Sequence, residues 1–113
     1  MTLNRRLSTR IPFRKRVKFG LSNQALGGYT FNLSEDGVGI KAPRMFPPRY
    51  KISIQIHMSD ADLGESGMSD IVKLEGTVAW VSPVLPGILP TMGIKFSNRS
   101  NDIKRIFQQR INH

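Results

Sequence analysis

The 113-residue chain reads as an all-β domain with one terminal helix, its strands forming an antiparallel barrel or sandwich. Three observations predict this. Ile52, Ile54, Ile56 and Met58 alternate with Ser53, Gln55 and His57, the period-two pattern of a strand with one buried face. Short apolar segments of this kind recur along the chain, six in all, separated by turn-forming residues. Near the C-terminus the period changes, and Ile103, Ile106, Phe107 and Ile111 fall on one helical stripe. A chain of this length makes one domain, with a modest core and no room for a second lobe.

The elements follow in order. Val17–Leu21 reads as a first strand, with a turn or loop at Ser22–Gly28. Tyr29–Leu33 is a second strand ending in Ser34-Glu35-Asp36-Gly37, where Asp-Gly signals a turn because glycine accepts a positive φ. Val38–Ala42 restarts a strand, and Pro43, Pro47 and Pro48 break the next stretch. Ile52–Met58 is the alternating strand. Ser59–Asp70 is a polar connection holding four of the eight acids and no base. Ile71–Ser82 is a long strand with Val72, Leu74, Val78 and Trp80 expected on one face. Pro83–Pro90 turns the chain into Met92–Phe96, the last strand. The helix spans Asp102–Ile111, with Ser100 or Asn101 as its cap, and its narrow stripe can plug a barrel end or face a partner. Closing so small a sheet removes its edges.

The net charge of +9 is concentrated at one end. Residues 1–20 carry Arg5, Arg6, Arg10, Arg14, Lys15, Arg16 and Lys18 with no acid, whereas the remainder nearly balances. Leu7, Ile11, Pro12, Phe13, Val17 and Phe19 interleave with these cations, so residues 1–16 read as a basic arm that can dock on a body formed by 17–113. The charge implies an anionic partner: nucleic acid, a phosphorylated small molecule or a membrane surface. No apolar run approaches the roughly 18 residues of a membrane span, and no apolar stretch follows the first basic residues as a secretory signal requires. Cysteine is absent, which is compatible with a reducing compartment and excludes thiol chemistry. The expectation is a cytoplasmic protein. The two histidines, His57 and His113, have no metal-ligand spacing, and Ser34 has no nucleophile-elbow pattern around it. The chain therefore reads as no enzyme, with no catalytic residue, metal site or cofactor.

Two short patterns occur together. Arg6-Leu7-Ser8-Thr9-Arg10 is an RxxxR preceded by Arg5, and Asn32-Leu33-Ser34-Glu35-Asp36-Gly37 is an NxSxxG at a strand-to-turn junction. Either alone is weak; in this order, ahead of an all-β body, they are specific. The pair resembles the PilZ domain, a bacterial receptor family for cyclic di-GMP. Gly76-Thr77-Val78-Ala79-Trp80-Val81 resembles the family's penultimate strand, and Met92-Gly93-Ile94-Lys95-Phe96 its closing strand. The resemblance implies a six-stranded antiparallel β-barrel with a C-terminal helix, and a cyclic di-GMP site at Arg5, Arg6, Arg10, Asn32, Ser34 and Gly37. Asn32 stands within the family's variation at a position that also takes aspartate.

Chemically, an arginine can fork two N–H donors onto a phosphate or a guanine O6/N7 edge and also stack on the base. Asn32 can hydrogen-bond a guanine edge, Ser34 can contact the base or hold the turn, and Gly37 allows the turn and a close approach of ligand. Arg14 and Arg16 fall outside this set, in solvent or on the first strand. The resemblance associates Arg5 with two intercalated ligand molecules per chain. It implies a stand-alone receptor whose arm orders on binding ligand and signals to an effector protein, with no DNA or RNA partner. The alternative is a nucleic-acid-binding small β-barrel of the OB or cold-shock type, but the aromatics are sparse and the cations lie in one arm instead of along a sheet face. A third reading is a protein-interaction module without nucleotide binding.

Overall fold

A computed structural model describes residues 9–21, 24–58 and 70–111. Among the described residues seven strands and one helix follow in order: β1 (Ile11–Pro12), β2 (Arg16–Leu21), β3 (Gln24–Leu33), β4 (Gly37–Lys41), β5 (Lys51–His57), β6 (Ile71–Val81), β7 (Thr91–Phe96) and α1 (Asn101–Ile111). All pairings are antiparallel, and the order β3-β2-β5-β6-β7-β4 returns to β3 through a β3–β4 pairing. The six long strands thus close a barrel, and the two-residue β1 is added on β3.

The alternating pattern of β5 holds: Ile52, Ile54 and Ile56 are buried with Val17 and Phe19 of β2, Val72 and Val78 of β6, and Met92 and Ile94 of β7. The helix buries Ile103, Ile106 and Phe107, and Ile103 and Ile106 join the barrel's core cluster, so its stripe packs inward. Ser100 is its cap, its Oγ accepting from the Ile103 backbone N–H at 3.3 Å.

Three sequence expectations are corrected. Residues 24–28 are strand and not loop, because β2 and β3 pair continuously from Arg16↔Tyr29 to Leu21↔Gln24. Trp80 leaves the buried face of β6 and is 42% exposed. The β6–β7 register slips between Val78 and Trp80, and the unpaired Ala79 inverts the alternation beyond it. Gly37 does not have a positive φ; among the described glycines only Gly87 does. The positive φ of 80° at Arg49 completes a turn in which the Tyr50 N–H donates to the Pro47 carbonyl.

Strand β3 positions the site. Its first half pairs with β2, and beyond Tyr29 that edge passes to β1, with Ile11↔Leu33 and Pro12↔Asn32 in register. On its other edge β3 meets β4 through a bulge in which Phe31 has no opposite residue, between Thr30↔Ile40 and Asn32↔Gly39. The segment between β1 and β2 is clipped to β3. Thr30 Oγ1 donates to the Phe13 carbonyl at 2.7 Å and accepts from the Lys15 N–H at 2.9 Å. Phe13 is buried in the core. The second half of the basic arm is therefore built into the barrel wall.

Candidate functional site

The geometry follows from the β1 register. Residues paired across a ladder share a face, and alternate residues share it too. Ile11 and Leu33 turn toward the core, so Pro12, Asn32 and the preceding Arg10 turn outward together. Arg10 Nη1 donates to Asn32 Oδ1 at 3.2 Å, which brings together the second arginine of RxxxR and the first residue of NxSxxG. The bond occupies the amide oxygen and leaves the Asn32 NH₂ group as donor, while the guanidinium keeps further N–H groups to offer. A carboxylate at position 32 would neutralise Arg10; the amide orients it and leaves its charge for an anion.

The neighbouring acids are turned to another cation. Arg99 Nη1 lies 3.7 Å from Glu35 Oε1, and Nη2 lies 3.5 Å from Asp36 Oδ1. Both pairs are at the surface and contribute little to stability. They tie the last two variable positions of the NxSxxG turn, Glu35 and Asp36, to the segment just ahead of α1. This link was not legible in the sequence, since Arg99 belongs to no motif.

Ser34 and Gly37 make the turn. Ser34 is buried, and its Oγ accepts from the N–H of Gly37 at 3.0 Å and of Asp36 at 3.2 Å. The Ser34 N–H donates to the Gly37 carbonyl at 2.9 Å. Of the two roles open to this hydroxyl, the structure shows it holding the turn. Removing it in Ser34→Ala leaves the buried Gly37 N–H without its side-chain acceptor. The expected destabilisation is about 1–3 kcal/mol, read from chemical denaturation. Gly37 is required by the barrel itself: a Cβ there would collide with the backbone carbonyl of Ile94 on β7.

Arg5 and Arg6 lie outside the described residues. Arg14, left out of the site on sequence grounds, packs its guanidinium 4.8 Å from the centre of the Tyr29 ring. Arg14, Tyr29, Pro12 and Phe31 share a cleft of about 540 Å³ next to the Arg10–Asn32 pair. A signal was present, because Arg14 continues the four-residue spacing of Arg6 and Arg10. Among the described residues no cluster of His, Cys, Asp and Glu could hold a metal ion, and no helix is long and apolar enough to cross a membrane.

The fold and the site together define a small closed-barrel domain with a cationic N-terminal segment laid against an Asn/Ser/Gly turn. The family model for the PilZ domain matches residues 4–112, nearly the whole chain, and the protein belongs to the PilZ family. No curated protein matches it in sequence. Similar solved structures include the inhibitor of motility MotI/DgrA of Bacillus subtilis, with a TM-score of 0.73 at 16% identity. The match covers 97% of this chain and 51% of that one. The PilZ domain of YcgR from Escherichia coli, solved with c-di-GMP, gives 0.70 at 19% identity, covering 96% of this chain and 90% of that one. MrkH of K. pneumonia, in complex with c-di-GMP, gives 0.66 at 12% identity, covering 97% and 52%. The chain thus spans about half the length of MotI/DgrA and of MrkH, and all of these likenesses are of fold.

Proposed function

We propose that this protein is a non-catalytic receptor for cyclic di-GMP. The observation that carries the reading is the Arg10–Asn32 hydrogen bond, which joins the two family motifs across one edge of the barrel in a chain matched by the PilZ model over residues 4–112. YcgR and MrkH, which share the fold, were solved with this ligand. In the proposed complex Arg6 and Arg10 clamp the phosphates or guanine edges, and the Asn32 NH₂ group donates to a guanine acceptor. Ser34 and Gly37 contribute by shaping the turn on which the ligand rests. Residues 1–16 act as the ligand-binding arm and 17–113 as the receptor body. Because residues 11–15 already pack on β3 and Arg10 already bonds Asn32, the proposed ordering on ligand binding concerns the part of the arm ahead of them. The liganded arm then presents an altered surface to an effector protein, in a cytoplasmic setting.

Isothermal titration with cyclic di-GMP, set against a single-stranded oligonucleotide at moderate salt, tests the reading. The expected result is saturable heat with the dinucleotide and none with the oligonucleotide; the reverse would assign the barrel to nucleic-acid binding. The expected stoichiometry is two ligands per chain, with Arg5 supporting the second. Saturation at one would remove that role from Arg5 and leave the receptor reading standing.

A further inference from the structure

The most exposed apolar feature among the described residues belongs to neither motif. The β6–β7 connection, residues 83–90, reads Pro-Val-Leu-Pro-Gly-Ile-Leu-Pro and contains no polar side chain. Val84 is 82% exposed, Leu85 52%, Ile88 63% and Leu89 48%. Scattered exposed aliphatics need no explanation, but a contiguous group on one tip does.

The tip is built to stay exposed. Pro86 and Gly87 form its turn, Gly87 takes a φ of 75°, and the Ile88 N–H donates to the Leu85 carbonyl at 3.3 Å. At the base of the tip Ser82 and Thr91 are joined twice: the Ser82 N–H donates to the Thr91 carbonyl at 2.8 Å, and the Thr91 N–H donates to Ser82 Oγ at 2.9 Å. Pro83, Pro86 and Pro90 have no N–H, so the loop brings few unpaired donors into an apolar medium, where each would be costly.

Cations stand beside it. Leu89 forms a wall of the cleft of about 540 Å³ that Arg14, Lys15, Lys41 and Arg110 also line, and no carboxylate lines it. Lys41 pairs with Thr91 across the β4–β7 ladder, and the Ala42 N–H donates to the Pro90 carbonyl at 3.3 Å, so this rim is fixed to the tip. An aliphatic tip hydrogen-bonded at its turn and base and flanked by a cationic rim matches an anionic lipid bilayer, with apolar acyl chains below a negative headgroup layer. A protein groove fits less well, because interface centres rely on Trp, Tyr and Arg anchors and the tip has none. A second copy meeting tip to tip would bring two cationic clefts together. We propose that residues 83–90 dock the protein peripherally on an anionic bilayer, with Val84, Leu85 and Ile88 entering the acyl boundary and Arg14 and Lys41 facing the headgroups. The proposal does not depend on the ligand reading.

Co-sedimentation of the full chain with vesicles tests it, using phosphatidylcholine alone against phosphatidylcholine with roughly one-third phosphatidylglycerol at about 0.1 M salt. The wild type is expected to sediment with the anionic vesicles and not with the neutral ones. Leu85→Ser/Ile88→Ser keeps every charge and is expected to weaken partitioning at least tenfold, with an unchanged thermal midpoint because both side chains are exposed. Lys41→Glu is expected to weaken it by about fivefold or more, since each cation near an anionic surface contributes about that factor. Wild-type partitioning by the double variant would assign the binding to the basic arm and overturn the proposal. Failure of the wild type to sediment, or equal binding to both vesicle types, would overturn it as well. Val84→Ser, at the most exposed position of the tip, is a milder second variant with the same expected direction.

Discussion

Arg10→Ala is expected to lower the affinity for cyclic di-GMP by more than tenfold while leaving the fold unchanged. Arg10 is exposed and precedes β1, so truncating it removes no core contact. Its bond to Asn32 is also exposed, and its loss should not measurably shift thermal unfolding. In the complex the same side chain would make charge-assisted hydrogen bonds worth about 1.5–3 kcal/mol each, and about 1.4 kcal/mol is a factor of ten. Arg10→Lys should fall between the two, because it keeps the charge and loses the planar fork. Calorimetric titration of the three proteins checks the order, with thermal melts confirming the fold. Wild-type affinity in Arg10→Ala would remove Arg10 from the site.

The second large effect is expected at Gly37, and it is on stability. In Gly37→Ala the new methyl group meets the Ile94 carbonyl, a backbone atom held in the β4–β7 ladder, and not the end of a flexible side chain. The seam is tied again where the Phe96 N–H donates to the Asp36 carbonyl at 2.8 Å. Relief therefore requires two strands to move apart. Overpacking of this kind costs about 1–3 kcal/mol, which in a domain of this size lowers the melting midpoint by about 4 °C per kcal/mol. A thermal scan measures it. An unchanged midpoint accompanied by lost ligand binding would show instead that the glycine serves the ligand's approach.

What the sequence made legible follows from local patterning. The alternation along Ile52–Met58 and the stripe of Ile103, Ile106 and Phe107 are period signals, and periods survive without knowledge of neighbours. The NxSxxG turn was equally visible, because Ser34 acts on residues two and three positions away. The failures involve the strand that each segment pairs with. Gln24–Gly28 has the composition of a loop and is strand because it pairs residue by residue with Val17–Leu21 of β2. Trp80 is exposed because a bulge at Ala79 shifts the register, and periodicity cannot foresee a skipped residue. Asp36-Gly37 looks like a positive-φ turn, yet its glycine answers to a strand more than fifty positions on. For the site, the motifs named Arg10 and Asn32 but not their contact, which depends on the β1 register. The role of Arg99 was hidden for the same reason, whereas Arg14 stood in the four-residue spacing of Arg6 and Arg10.

The docking of Phe13 in the core has a thermodynamic consequence. Arg10 is only three residues from that anchor, so it stands within about 11 Å of it along the chain. The arginine is presented to Asn32 as an intramolecular partner, at the high effective concentration of a very short tether. The same anchor makes occupancy and folding one linked equilibrium, since unfolding the barrel would dismantle the β1 register that sets Arg10 against Asn32. A ligand held there draws on the free energy of the whole domain, and at about a hundred times its dissociation constant returns about 2.7 kcal/mol to it. A destabilising change deep in the barrel would then weaken apparent binding once the unfolded fraction becomes appreciable, without touching a single residue of the site.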